Sequence, residues 1–298
     1  MLVIARSYRR HQHDNKESTN VKIGICMFAT DYAIRIDDLA REVEARGFES
    51  LFVPEHTHIP TSRRSPWPGG SDLPREYWHT LDPFVALTAA AAATEKLRVG
   101  TGICLLPEHD PIVTAKEIAS LDLLSNGRVD VGIGAGWNAE EMENHGTEFA
   151  TRFRVMSERA KAMKTLWAEE EPEFHGEFTD FDPVWSYPKP VQKPNPPILI
   201  GGESIHTLRR VVDYGDGWLP RARGGFDPHE GVARLRAVAD AAERDMATLT
   251  INVFGAPSDT ALLDLYREAG IDRAILSVPS AGADVVLPLL DRHAENLP

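Results

Sequence analysis

Three stretches of this sequence hold residue types whose spacing could do chemistry. The longest is Arg98-Val-Gly-Thr-Gly-Ile-Cys-Leu-Leu-Pro107, continued by Ser125-Asn-Gly-Arg-Val-Asp-Val-Gly-Ile-Gly-Ala-Gly-Trp137. Both halves are short apolar runs closed by glycines where a parallel strand would open into a loop. Glycine there lets the backbone come close to a flat or phosphorylated ligand. The second stretch is Gly201-Gly202 ahead of a helix beginning at Ser204. Free amides and the positive end of the helix dipole favour an anion at such a place by about 0.3 to 1 kcal/mol. A plain glycine turn with Ser204 as a helix cap is the alternative. The third is Glu55-His56-Thr57-His58, whose His-x-His spacing sets two imidazoles on one side of a strand end, as a metal-ligand pair requires.

The elements that must position these residues repeat a strand-helix unit. Strands are expected over Lys22–Phe28, Phe48–Val53, Leu97–Gly102, Arg128–Gly134, Ile198–Gly202, Gly217–Leu219, Leu249–Val253 and Arg273–Val278. Helices are expected over Tyr32–Arg46, with Asp31 as N-cap and Gly47 as C-cap, and over Asp82–Thr94 and Pro111–Leu124. Others follow over Glu140–Gly146, Thr151–Glu170, Ser204–Tyr214, Pro228–Met246, Ser258–Ala269 and Asp284–His293. Residues 54–79 form a long loop rich in Pro, Gly and Trp, and 171–197 a second insertion without a helix, of the kind that builds binding rims. Eight alternating strands and helices over about 275 residues match a (β/α)8 barrel.

Barrel chemistry sits at the C-terminal strand ends. That gathers Phe28, Glu55 to His58, Gly102 to Cys104 with Glu108 and His109, Gly134 to Asn138, Gly201 to Ser204 and residues 220–225 into one glycine-lined, partly aromatic mouth. It suits a planar cofactor better than a small polar substrate alone. Arg221 and Arg223 are the close basic pair on this rim, matched to a phosphate or an acidic tail, with a solvated loop as the plainer reading. Trp67, Tyr77, Trp78 and His79 either wall the pocket or pack their loop onto the barrel.

Composition bounds the rest. With 298 residues, 42% hydrophobic and 26% charged, the chain can bury a large single core, and no linker divides it. The 45 acidic against 32 basic residues give a formal net charge of -13, which argues against nonspecific binding to nucleic acid or an anionic membrane. Cys26 and Cys104 lie in apolar runs and read as buried thiols of a reducing, cytoplasmic compartment. No run of about 18 apolar residues marks a membrane span. Residues 1–20 read as a disordered polar tail, leaving one barrel domain over 21–298.

The order of motifs resembles the luciferase-like monooxygenase superfamily of flavin- and deazaflavin-dependent enzymes. The motifs are Phe-Val-Pro-Glu-His ending strand two, Val-Gly-Thr-Gly-Ile, Ser-Asn-Gly-Arg followed by Gly-Ile-Gly-Ala-Gly-Trp, Pro-Pro-Ile-Leu-Ile-Gly-Gly, and Tyr-Gly-Asp-Gly-Trp. Within it the chain is most similar to the branch that uses the deazaflavin coenzyme F420. The resemblance implies a bulge after strand three, at Thr101, Gly102 and Ile103, with a cis Gly102–Ile103 peptide against the cofactor ring. It also implies cofactor contacts from Gly134, Gly136, Glu140, Gly201, Gly202, Ser204 and Arg221, with Glu203 an awkward neighbour for a phosphate. His56, Glu55 and Trp137 are the residues it places at the reaction, His56 near the reactive carbon. A neutral imidazole, of ordinary pKa near about 6.5, can exchange a proton during hydride transfer there. His56 as a mere anchor for its loop is the bland alternative. Trp137 stands where a sugar-phosphate dehydrogenase relative has a catalytic glutamate, which argues against a sugar-phosphate substrate.

The expectation is therefore an F420-dependent oxidoreductase acting on a small organic molecule, as a homodimer, with no nucleic-acid or membrane partner. An FMN-dependent monooxygenase is the nearest alternative, because both cofactors present a tricyclic ring and a phosphate. A metal-dependent hydrolase needs further ligands, but the later strands end in Gly-Gly-Glu, Pro-Arg and Ser-Val-Pro, so no metal is expected. A barrel that binds without catalysis is the remaining class.

Overall fold

Three helices begin with the same dipeptide. Asp82-Pro83, Asp110-Pro111 and Asp227-Pro228 each set an aspartate at the cap, where it accepts backbone N–H groups of the first turn. The proline takes the first helical position, where its missing N–H removes no hydrogen bond. These signals punctuate the chain in the computed structural model, which describes residues 20–297 apart from Ser71 and Gly224. The expected tail over 1–20 lies, except for Asn20, outside the described residues.

In chain order the elements are β1 (Lys22–Cys26), α1 (Ile36–Ala45), β2 (Ser50–Val53), α2 (Pro83–Ala92), β3 (Arg98–Cys104), α3 (Pro111–Leu124) and β4 (Val129–Ile133). They continue with α4 (Ala139–Asn144), α5 (Arg152–Ala168), β5 (Phe174–His175), β6 (Asp180–Phe181), β7 (Ile198–Gly201), α6 (Ile205–Tyr214) and β8 (Gly217–Leu219). The last are α7 (Pro228–Ala241), β9 (Thr250–Ala256), α8 (Thr260–Ala269), β10 (Arg273–Ser277) and α9 (Ala283–Ala294). β1, β10, β9, β8, β7, β4, β3 and β2 pair in parallel and close into a barrel, with helices between successive strands. The fold is the (β/α)8 barrel that the strand count implied.

Three local expectations are corrected. Asp31 does not cap α1: the helix starts at Ile36 after Arg35, and Asp31 instead meets Nδ1 of His79 at 2.8 Å. The insertion over 171–197 contains a small antiparallel hairpin, β5 with β6, whose two-residue strands are too short to show a period. α7 ends at Ala241, several residues before the expected Met246, and a separate 3-10 turn covers Met246–Thr248.

The barrel interior is filled in layers. Cys26, Phe52, Leu199, Leu219 and Ile275 pack with Ile103 and Phe254 inside it, separate from the larger core between strands and helices. Gly100 belongs to this layer for a steric reason, since a Cβ there would lie 2.5 Å from the Phe52 ring. Towards the N-terminal strand ends the interior turns ionic. Arg273 is buried there, meeting Glu49 at 2.7 Å and Asp130 at 3.1 Å, while Arg98 meets Asp130 at 2.6 Å. Asn252 Oδ1 accepts from Arg273 at 3.0 Å, so each buried charge has partners. This closed floor leaves the C-terminal strand ends as the open face.

Candidate active site

β2 runs into Pro54, Glu55 and His56 at the barrel mouth, and each side chain goes a different way. The Glu55 carboxylate turns inward, accepting the Leu105 amide at 2.6 Å and meeting His109 Nε2 at 2.7 Å. Burial pushes Glu55 up, but the His109 bond and charge and the Leu105 amide hold its carboxyl below the usual value. His109, which burial would lower, is raised in return by Glu55. Glu55 is 4% exposed, and in this structure its carboxylate pins the turn after β3.

His56 faces the mouth. Its Nδ1 lies 2.7 Å from Oε2 of Glu141, which is fully buried, and Oε1 of Glu141 accepts the Thr57 amide at 3.1 Å. With the carboxylate accepting at Nδ1, that nitrogen carries the proton and Nε2 is left with an open lone pair. Nε2 has no hydrogen-bond partner among the described residues. Around it stand Tyr77 with ring centroids 5.1 Å away and Trp137 at 5.8 Å, edge-on. Phe28 lies 4.8 Å from Tyr77 and Trp67 lies 5.8 Å from it, extending one aromatic wall. Trp67 and Tyr77 thus belong to the aromatic cluster beside His56. Trp78 is 49% exposed and His79 is held by Asp31, so these two do not.

The Glu140 carboxylate accepts the Ser62 hydroxyl and the amides of Arg64 and Ser65 at 2.6 to 3.2 Å. Although burial pushes it up, these hydrogen bonds hold its pKa down to about 2. Its task is to pin the second loop over the mouth. Glu141, one residue on, is the partner of His56 that the sequence reading missed. The one available signal was Asn138-x-x-Glu141, the spacing of a helix capping box, whose glutamate here reaches the histidine instead of the cap.

After β3 the Gly102–Ile103 peptide is cis, as the resemblance implied. Ile103 occupies the space that a side chain on Gly134 would need, since a Cβ there would sit 1.9 Å from its Cδ1. Gly134 is thus glycine for Ile103, whatever its backbone meets. Thr101 is buried and donates its hydroxyl to the Gly132 carbonyl at 2.7 Å, which leaves Gly102 and Ile103 as the part of the bulge nearest the mouth. Gly136 and Gly202 take the left-handed region, with φ of 70° and 119°. Ser204 caps α6, accepting the Thr207 amide at 3.1 Å. Beside it Glu203 grips Arg221 through two side-chain contacts of 2.8 and 2.9 Å, so Arg221 already has an ionic partner. The same pair answers the charge conflict at Glu203, whose carboxyl is held below its usual value by Arg221 against the opposing effect of burial.

For a metal, Glu55, Cys104 and His109 bring a carboxylate, a thiol and an imidazole within 4.8 Å. Burial raises the Cys104 thiol far above its usual range, and Glu55 and His109 satisfy each other at 2.7 Å. The His56-x-His58 pair does not converge either, since His58 turns to Thr57 and Asn144 at 2.9 Å each.

Glu108 is the discordant group. Its carboxyl is buried, Oε2 lacks a hydrogen bond, and Nε2 of His145 lies 3.8 Å away, an imidazole whose charged form burial disfavours. Burial, with the charges of Glu141 and Glu55, pushes its pKa from 4.5 up to about 9. The folded chain therefore holds a proton there that the unfolded chain has lost, and stability falls as pH rises through that window. Glu108→Gln removes the penalty. Its melting temperature should match the parent near pH 5 and exceed it by on the order of 5 °C near pH 9. Melting curves that stay parallel across that range would contradict the assignment.

Comparison with known proteins gives the family and the fold. The family model described as luciferase-like monooxygenase matches residues 10–281. An uncharacterized protein of Mycobacterium tuberculosis is 38% identical over 280 residues, covering 92% of this chain and 98% of that protein. A pyrimidine monooxygenase of Allorhizobium ampelinum is 30% identical over 232 residues, covering 73% of this chain and 62% of its own. Among solved structures, an F420-dependent secondary alcohol dehydrogenase bound to an F420–acetone adduct superposes with a TM-score of 0.75 at 20% identity, covering 94% of this chain and 99% of the other. Monooxygenase RslO1 from Streptomyces bottropensis superposes equally well, at 0.75 and 21% identity, covering 93% and 98%.

Proposed function

This chain belongs to the luciferase-like monooxygenase family, and from that premise we propose that it is an oxidoreductase that passes a hydride between coenzyme F420, held in the barrel mouth, and a small organic substrate. The observation that carries the reading is the His56–Glu141 pair, whose open Nε2 faces the aromatic wall at the strand ends. When bound, the deazaflavin supplies the ring carbon that accepts or releases the hydride. Gly102, Ile103, Gly136 and the turn at Gly201, Gly202 and Ser204 would hold it. The fit is sound in kind: the first turn of α6 offers amides to a phosphate, and the Glu203–Arg221 pair beside it is neutral overall.

In the direction of substrate oxidation, Nε2 of His56 takes the proton of the substrate hydroxyl as the hydride leaves the adjoining carbon. Glu141 stabilises the resulting imidazolium through Nδ1–H and keeps the ring in one tautomer. Tyr77, Trp67 and Trp137 exclude water from the reacting face and give the substrate an apolar seat. In the reverse direction the same Nε2 returns the proton. FMN-dependent oxygenation is the second reading, favoured by the identity to a pyrimidine monooxygenase. We also read the protein as a cytoplasmic homodimer: Val85, Ile112, Val113, Leu123 and Leu124 form an exposed apolar face on α2 and α3. Among the described residues no helix is long and apolar enough to cross a membrane.

The test is a panel of alcohols offered to the enzyme with oxidised F420 under nitrogen, and in parallel with FMN, a flavin reductant and air. Reduction of F420 by a panel member supports the reading. Product formation only with FMN and oxygen replaces hydride transfer by oxygenation.

A further inference from the structure

The reading above leaves the substrate open, and resting on it we infer that Arg63 and the aromatic wall at Trp137 form a subsite for the carboxylate of a flat, apolar acid. The wall supplies the seat for the flat body. Tyr77 and Trp137 have centroids 6.4 Å apart, and His56, Phe28 and Trp67 continue the surface at 4.8 to 5.8 Å. One of its polar groups is already used, since His56 Nδ1 is taken by Glu141. An aromatic or unsaturated body buries area against such a wall at little cost in hydrogen bonds.

The charge comes from Arg63, whose guanidinium carbon lies 5.9 Å from the centre of the Trp137 ring. Its neighbour Arg64 is paired with Glu143 at 2.9 Å and lies 3.7 Å from Glu140. Arg63 itself has no ion pair among the described residues. It also sits at φ 52°, a left-handed conformation in which glycine or asparagine would be at ease and arginine is not. Non-glycine residues held there tend to mark binding sites, where the surroundings over-determine the backbone. Here the buried Glu140 carboxylate fastens Ser62, Arg64 and Ser65 on both sides of Arg63.

Among the described acids of the mouth, Glu108 is kept protonated at neutral pH by burial, while Glu141 is taken by His56, Glu55 by His109, Glu140 by the loop and Glu203 by Arg221. Glu76 acts on Tyr77 from one side, but Arg223 and Arg221 act on it in the opposite sense. In a protein of net charge -13, an unpaired guanidinium over the aromatic wall selects an anion, and its planar fork matches a carboxylate. The acid so bound would present its reacting carbon to His56 across the Trp137 ring.

Three probes of one shape test this: benzoate, benzyl alcohol and benzyltrimethylammonium, titrated by quenching of tryptophan fluorescence in the full chain with and without F420. Benzoate should bind at least tenfold more tightly than the other two. Arg63→Gly removes the charge and suits the backbone, so it should erase the preference, whereas Arg63→Lys should keep most of it. Equal binding of the three probes, absence of benzoate binding, or a benzoate preference that survives Arg63→Gly would overturn the inference. Binding of F420, followed separately by the cofactor's own fluorescence, distinguishes the two failures. A chain that takes F420 without preferring benzoate loses only this subsite, and one that takes no F420 loses the reading beneath it.

Discussion

His56→Ala lowers turnover on any substrate the enzyme reduces or oxidises by about 10²- to 10⁴-fold, the usual worth of a positioned acid–base group. Cofactor affinity should change by less than about threefold, since the proposed mechanism uses the imidazole on the reacting proton and assigns the ring and phosphate to the glycine turns. Glu141→Gln is the sharper companion. The carboxylate lies 2.7 Å from Nδ1 and is completely buried, so the isosteric amide leaves the packing intact. It also turns an acceptor into a group that can donate to Nδ1, which moves the ring proton to Nε2 and blocks proton uptake there. We expect kcat to fall by at least about tenfold with KM little changed, as for other histidines given the wrong tautomer. A raised KM at constant kcat would make Glu141 a packing residue, and unchanged turnover of His56→Ala would remove His56 from the mechanism.

Asp130→Ala is the substitution expected to cost the most stability. Asp130 joins two guanidinium groups at the barrel floor, Arg98 at 2.6 Å and Arg273 at 3.1 Å, and Arg273 is only 6% exposed. Burial pushes Asp130 up, yet the charges and hydrogen bonds of Arg273 and Arg98 hold its carboxyl below the ordinary aspartate value. Removing it strands cations in the core, a loss of about 3 to 5 kcal/mol in comparable buried pairs. Glu49 still contacts Arg273, which argues for the lower end, or a melting temperature lowered by on the order of 10 °C. Asp291→Ala provides the contrast, because its pair with Arg46 has the aspartate side chain 65% exposed. That change should stay within about 0.5 kcal/mol. Equal losses in the two variants would show that the ionic floor contributes nothing special.

The barrel was legible because its signals are local. Apolar runs ending in glycine, and aspartate-proline starts, mark strands and helices whatever their partners are. The glycine-rich strand ends and the cis Gly102–Ile103 bond were legible too, the latter through resemblance alone. Side-chain direction was not. Glu55, Glu140 and Glu141 sit near the same rim, and nothing in their spacing says that one binds His109, one pins a loop and one turns to His56. Those outcomes depend on residues 50 to 85 positions away, which no local period encodes. The partner of Arg221 was hidden for the same reason: Glu203 is 18 residues distant and meets it only once β7 and β8 pair. Arg63 left no pattern at all, since its importance lies in a backbone angle and a missing partner.

The most direct test of the central claim is a binding titration of the purified protein with oxidised F420, followed by its fluorescence, beside an identical titration with FMN. Saturable binding of F420, with FMN at least tenfold weaker, is the predicted result and puts a deazaflavin in the barrel mouth. FMN preferred over F420, or neither bound, would contradict it.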